Sequence, residues 1–186
     1  QVPKLVPDRH TFSFENGVYM ADRELFVSYD SIELQSSHHK LPVACKHFSQ
    51  NFNIGWSQGS DRYADYIDIP TPALDQVWDA QNLSEPMKRW ALAMMGRCIY
   101  NIKELDDWQV MLFIKGAAGT GKSNVLRVVS QFYETSQVGA VSNNIEEKFG
   151  LSPLYDKFVV VLDDVRENFK LDQSDFQLML SGDTLS

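Results

Sequence analysis

Two short stretches of this chain hold what is needed to handle a chain of phosphates. Residues 116 to 123 read Gly-Ala-Ala-Gly-Thr-Gly-Lys-Ser, the Walker A pattern G-x-x-x-x-G-K-[ST]. Gly116, Gly119 and Gly121 let the backbone turn tightly, so that successive N–H groups face one anion. Ala117, Ala118, Thr120 and Asn124 complete the run expected to surround it. Lys122 can reach the β- and γ-phosphates, and the Ser123 hydroxyl can sit on Mg²⁺. The second stretch is Asp163-Asp164, placed after the apolar run Phe158-Val-Val-Val-Leu162. Asp163 is assigned to Mg²⁺ through its water shell. Asp164 is assigned to the attacking water, which it would orient or deprotonate. The chemistry is hydrolysis of a nucleoside triphosphate, with ATP and Mg²⁺ as cofactors and Lys122 and Asp164 as catalytic residues. The plain alternatives are a chance glycine-rich turn and two aspartates capping a turn, so the surrounding elements must decide.

Those elements have the required order. Trp108-Gln-Val-Met-Leu-Phe-Ile-Lys115 reads as a buried parallel strand feeding the glycine loop. Ser123 to Glu134 carries Val125, Val128, Val129 and Phe132 at helical spacing, with Leu126 beside them, which predicts a helix whose N-terminus faces the anion. Val138 to Val141 is a short strand, and Phe158 to Leu162 a second. About 40 residues separate the two motifs, enough for one crossover helix and one intervening strand of a doubly wound sheet. Ser142, Asn143 and Asn144 then fall on the nucleotide edge, either touching nucleotide or DNA or capping a helix that starts near Ile145. Leu171 to Leu180 is a helix burying Phe176, Met179 and Leu180, and Gly182 stops it. Arg166 and Lys170 are solvated charges or contacts to DNA or a neighbouring subunit. The fold class is α/β, a P-loop NTPase parallel-sheet core.

Upstream, residues 1–69 are β-rich. Thr11-Phe-Ser-Phe and Val18-Tyr19 flank Glu15-Asn16-Gly17, a strong hairpin signal. Leu25 to Tyr29 reads as a strand, Val43 to Phe52 as another, and Gly55 to Asp65 as a loop. Phe12, Phe14, Tyr19, Phe26 and Tyr29 could stack on bases, but at strand alternation they read as core. Residues 70–107 form a helical linker or collar. Thr71-Pro72 starts one helix and Ser84 with Pro86 a longer one. Met87, Trp90, Ala91, Met94, Met95 and Cys98 make a stripe expected to pack on the sheet. Residues 108–186 are the ATPase region. It is read as incomplete at its C-terminus, because such a sheet needs strands beyond those before Ser186. The start at Gln1 likewise reads as a piece of a longer protein.

Composition narrows the partners. The chain is 44% hydrophobic and 12% aromatic, enough for a packed core rather than disorder. Its net charge is −8 and its pI about 4.9, so it is no general duplex-coating protein, although a local basic channel is compatible. Cys45 and Cys98 show no zinc spacing. Cys98 reads as core, and Cys45, with His47 and the His38-His39 pair, as part of a solvated loop rather than a metal site. No apolar run approaches ~18 residues, so no membrane partner is expected and the protein is read as soluble and intracellular.

The string formed by Gly116 to Ser123, Val138 to Asn144, Lys148-Phe-Gly-Leu151, Leu154-Tyr155, Phe158 to Asp164, Leu171-Asp172, Phe176-Gln177 and Ser181-Gly182-Asp183 resembles superfamily-3 helicases. The likeness is to the primase–helicase type of poxviruses, giant DNA viruses and some phages. Phe14-Glu-Asn-Gly-Val18 is similar to the segment preceding the ATPase in viral and phage members. The resemblance implies an AAA+-related homo-hexameric ring that binds ATP between subunits and pulls single-stranded DNA through its channel. A primase domain on the same polypeptide is a further implied partner, and the cytoplasm or a viral replication site in the host cell the implied location. The family's lysine-bearing DNA hairpin, sensor asparagine and trans-acting arginine are expected beyond Ser186. One position departs: relatives often carry glutamate where this chain has Asp164, a carboxylate one methylene shorter. Two other readings remain, a nucleotide-dependent replication-initiator switch and a P-loop kinase. A kinase would need a lid rich in arginine, where only Arg166 is present.

Overall fold

A computed structural model describes residues 5–31, 42–53, 66, 69–141, 152–163, 165 and 172–182. The chain divides into two compact units, Gln1–Thr71 and Pro72–Ser186. Among the described residues the protein is mixed α/β, with a four-stranded mixed sheet in the first unit and helices with a two-stranded parallel sheet in the second. No helix among them is long and apolar enough to cross a membrane.

The first unit is built from β1 (Asp8–Phe14), β2 (Gly17–Met20), β3 (Leu25–Ser28) and β4 (Ala44–Phe48), in the order β3-β2-β1-β4. β1 and β2 form the hairpin expected around Asn16, β3 continues it antiparallel, and β4 joins β1 in parallel. The register sets Phe12 opposite Tyr19, Tyr19 opposite Phe26 and Phe14 opposite Phe48, so these rings share one face. Phe52 folds over that face. Its ring stacks on Tyr19 and on Phe26, both at 4.9 Å between centroids, and meets Phe14 edge-on at 5.0 Å. The Asn16 carboxamide holds it there, donating to Phe52 O at 2.9 Å and accepting from Phe52 N at 2.7 Å. Gly17 permits the hairpin's closeness to β3, since a Cβ there would stand 2.3 Å from Val27 O.

Two expectations for this unit need correction. Tyr29 lies past the end of β3 and is exposed, so it is not core. Cys45 is not in a loop but buried in β4, with its thiol donating to Arg9 O. His47, two residues further along β4, is exposed beside Ser13 and Glu15. His38, His39 and the expected loop 55–65 lie outside the described residues.

The second unit contains α1 (Pro72–Ala80), α2 (Glu85–Arg97), α3 (Lys122–Ser130), β5 (Val138–Ala140), β6 (Val159–Val161) and α4 (Gln173–Ser181). Prolines open α1 and α2 as their fixed φ favours, and Asp172 caps α4 by accepting from Ser174 N at 2.7 Å. Trp78 of α1, Met95 of α2, and Val125 and Val129 of α3 form one buried cluster. Leu112, Ile114 and Val159 pack against it, so the helical segment and the residues that follow share a core. Each fully buried aliphatic side chain here contributes roughly 1.5–3 kcal/mol relative to exposure.

The tryptophan and methionine stripe is only partly core. Met95 is buried, and Ala91 and Cys98 pack against the cluster, whereas Met87 and Trp90 are each 57% exposed. The core takes Ala91, Leu92 and Met95 from α2 instead, and Trp90 stacks on Trp108, with centroids 6.2 Å apart. The strand expected over Trp108 to Lys115 does not form among the described residues. Its side chains alternate as a strand's would, Leu112 and Ile114 inward with Met111 and Phe113 exposed. A strand also requires a ladder partner, and among the described residues β5 and β6 pair only with each other.

Tyr133 joins three of these elements. Its buried hydroxyl donates to Cys98 O and Ile99 O at 3.1 and 3.2 Å, just past α2, and its ring meets Phe158 edge-on ahead of β6. Tyr133→Phe leaves the packing and removes the hydroxyl that Cys98 O and Ile99 O share. The expected cost is about 1–2 kcal/mol in urea unfolding of the second unit. An unchanged midpoint would show that those carbonyls find other donors.

Candidate functional site

The loop expected to hold phosphate lies between an anchored segment and the start of α3. The anchor is at Trp108. The Arg97 guanidinium donates to the Asp106 carboxylate and, at 3.2 Å, to Trp108 O, while Trp108 N donates to Asp106 Oδ1 at 2.8 Å. From there the chain runs along the core through Leu112 and Ile114 into Gly116.

Within the loop, Gly119 and Gly121 adopt left-handed backbone with φ of 78° and 79°, while Gly116 does not. Gly121 immediately precedes α3, and no side chain caps that helix. The N-terminal N–H groups of α3 thus have no side-chain cap, a condition that an anion site needs. A Cβ on Gly119 would meet nothing within 4 Å, so the loop is open there. Gly121 is the opposite case: a Cβ would lie 2.5 Å from Val77 Cγ1 of α1. The loop is thus pressed against α1 at Gly121 and clear at Gly119.

Lys122 folds back on the loop. Its ammonium donates to Gly116 O at 3.0 Å and to Ala117 O at 2.6 Å. Thr120 Oγ1 also donates to Ala117 O, at 2.9 Å. The cation is therefore held at the mouth of the loop by neutral acceptors, which an anionic phosphate can outcompete. Ser123 is exposed in the first turn of α3. Ala118 lies in the turn ahead of Gly119, and Asn124 N bonds back to Gly121 O at 3.0 Å.

The acidic motif is only half described. β5 and β6 are parallel, pairing Val138 with Val159 and Ala140 with Val161, so both lead to the same sheet edge. Asp163 is exposed two residues past the end of β6, and α3 packs against that strand. Phosphate-loop helix and acidic strand thus belong to one packed layer. Asp164 lies outside the described residues, as do Ser142, Asn143, Asn144, Arg166 and Lys170. Among the described residues no group of three or more His, Cys, Asp or Glu side chains could hold a metal. A Mg²⁺ bound through waters, one hydroxyl and one carboxylate does not need such a group.

The sequence reading placed a helix at Thr71-Pro72 but did not bring it to the loop. Gln76, Val77, Ala80 and Gln81 line a cleft of about 320 Å³ together with Gly119, Thr120, Gly121 and Asn124. Nothing in α1 matches a known motif. Its approach to the loop becomes visible only in the clearance between Gly121 and Val77. In comparisons with known proteins, no family model and no curated protein matches the chain.

Two outcomes follow from this geometry. Gly121→Ala meets both a left-handed backbone and Val77, so α3 or α1 must shift. Phosphate affinity, read by titrating Mg²⁺ with tripolyphosphate, is expected to fall at least about tenfold. Unchanged affinity would mean that the contact with α1 does not shape the loop. The second outcome concerns pH. The Arg97 guanidinium, and after it the Trp108 N–H, hold the Asp106 carboxyl below its ordinary range. A depressed folded value means that the pair contributes fully above about pH 4 and loses its contribution as pH falls through that value. The gap in urea midpoint between wild type and Asp106→Asn should stay constant from about pH 7 to about pH 4 and close below. A gap already closed near pH 5 would contradict the assignment.

Proposed function

We propose that the second unit is a P-loop ATPase that binds ATP with Mg²⁺, and that it serves a replicative DNA helicase of the viral primase–helicase type. One observation carries the nucleotide reading. Gly116 to Ser123 forms an open loop with two left-handed glycines, ends at an uncapped helix N-terminus, and places the Lys122 ammonium at its mouth. Those are the donors that a triphosphate requires. The helicase reading adds the resemblance of residues 116–183 to superfamily-3 members.

Each residue then has a physical task. Backbone N–H groups of Gly119 to Ser123 bind and orient the β- and γ-phosphates. Lys122 exchanges its two carbonyl partners for phosphate oxygens and stabilises their charge. The Ser123 hydroxyl and Asp163 would hold a Mg²⁺ ion through its waters, and Asp164 would accept a proton from the attacking water. The chemistry such an ion would supply is neutralisation of charge on the phosphates. In the ring, the resemblance places the remaining catalytic groups on a neighbouring subunit, which couples turnover to single-stranded DNA.

Lys122→Ala in the intact protein is expected to lower ATP hydrolysis by about a hundredfold or more. Single-stranded DNA is expected to stimulate the wild-type rate. Unchanged turnover in Lys122→Ala would sink the nucleotide assignment. Turnover indifferent to DNA would leave an ATPase switch in place of a motor.

A further inference from the structure

The hairpin turn of the first unit joins two residues that the fold holds to their identities. Gly17 is paired on both sides, with Phe14 of β1 and Ser28 of β3, and a Cβ there would collide with Val27 O and the Phe26 ring. Asn16 is held by its clamp, donating to Phe52 O and accepting from Phe52 N. Only a carboxamide can do both. The backbone ties the same turn down: Glu15 N donates to Gln50 O at 3.0 Å, and Tyr29 N donates to Asn16 O at 3.2 Å. Close packing at one position and a two-way hydrogen bond at the next thus build an Asn-Gly pair into the turn. That pair has a reactivity of its own. The Asn16 Cγ is one ring closure away from the Gly17 nitrogen, and glycine has no Cβ to hinder the approach. Glu15 is exposed and Asn16 half-buried, so solvent reaches the turn.

We propose that Asn16-Gly17 is a site of spontaneous covalent modification, in which Asn16 converts to aspartate and isoaspartate at a rate set by opening of the Phe52 clamp. The Gly17 nitrogen attacks the Asn16 Cγ and forms an N–C bond. The bond from Cγ to the carboxamide nitrogen breaks, and ammonia leaves, the glycine N–H proton reaching it through solvent. Water then opens the cyclic imide at either carbonyl. The balance is one water in and one ammonia out, with no oxidant or reductant. While the clamp is closed, two hydrogen bonds hold the carboxamide on Phe52 and away from the Gly17 nitrogen, so the reaction waits for a local opening. Either product disables the clamp. A carboxylate only accepts, so it turns lone pairs toward Phe52 O. Isoaspartate also lengthens the main chain ahead of Gly17, where Val27 and Phe26 leave no room. Phe52 then loses its tether over Phe14, Tyr19 and Phe26, and the aromatic face of the sheet opens. This inference is independent of the nucleotide reading.

The test is a time course of the full chain at mildly alkaline pH, folded in buffer and unfolded in urea, followed by peptide mass spectrometry. Conversion is read as the mass difference between amide and acid at position 16, and isoaspartate by enzymatic methylation of the same peptide. Folded wild type is expected to convert at Asn16 about tenfold to a hundredfold more slowly than the unfolded chain, the population that two hydrogen bonds leave open. Phe52→Ala keeps the backbone partners but loses the ring contacts that seat them, and should convert within about threefold of the unfolded rate. Asn16→Asp, a mimic of one product, should lose much of the near-ultraviolet circular dichroism of the stacked rings. A folded rate equal to the unfolded one would show that the clamp protects nothing and would overturn the proposal. So would the absence of conversion at Asn16 in folded wild type after many unfolded-chain half-lives, or a folded Phe52→Ala as slow as wild type. The comparison of folded with unfolded wild type decides the matter even if Phe52→Ala does not fold.

Discussion

The second unit depends on the point where Gly121 meets Val77. The backbone there must be left-handed to turn the loop into α3, and it must also pass too close to α1 for any side chain. Only glycine satisfies both conditions without strain. Once that contact is made, Val125 and Val129 of α3 reach Trp78 of α1 and Met95 of α2 in one cluster. The cluster in turn carries Leu112 and Ile114 from the segment before the loop and Val159 from the strand that precedes Asp163. Loop shape and hydrophobic core are thus one constraint, in which burial fixes where the loop amides point.

The same logic of a small polar group holding apolar surface recurs in the first unit. There Asn16 occupies the hairpin turn and clamps both backbone groups of Phe52. The clamp sets Phe52 across Phe14, Tyr19 and Phe26, which makes these rings packing partners of one another. Rings stacked in this way bury surface in the unit and leave little of it for bases.

Much of the local structure was legible. The hairpin at Asn16, the prolines opening α1 and α2, the glycine ending α4 and the helix after the lysine all follow from residue chemistry that acts over a few positions. What failed was non-local. Trp108 to Lys115 has the alternation of a strand but no ladder partner among the described residues. Met87 and Trp90 continue a helical stripe, but the periodicity could not show that the core takes Ala91, Leu92 and Met95 and leaves these two exposed. In the candidate site, the glycines and Lys122 stood out by spacing, because the Walker A pattern is contiguous. Gln76 and Gln81 did not, because a wall contributed by a separate helix leaves no spacing to read. The lysine's resting partners, two loop carbonyls, were equally invisible without coordinates.

The central claim is that residues 116–124 form a loop whose amides receive the phosphates of a nucleotide. Amide hydrogen exchange on the chain, with and without Mg²⁺ and ATP, addresses it directly. The account predicts slowed exchange concentrated at Gly119 to Asn124, with the rest of α3 little changed. Exchange in that loop unaffected by saturating nucleotide, or protection confined to another part of the chain, would contradict it.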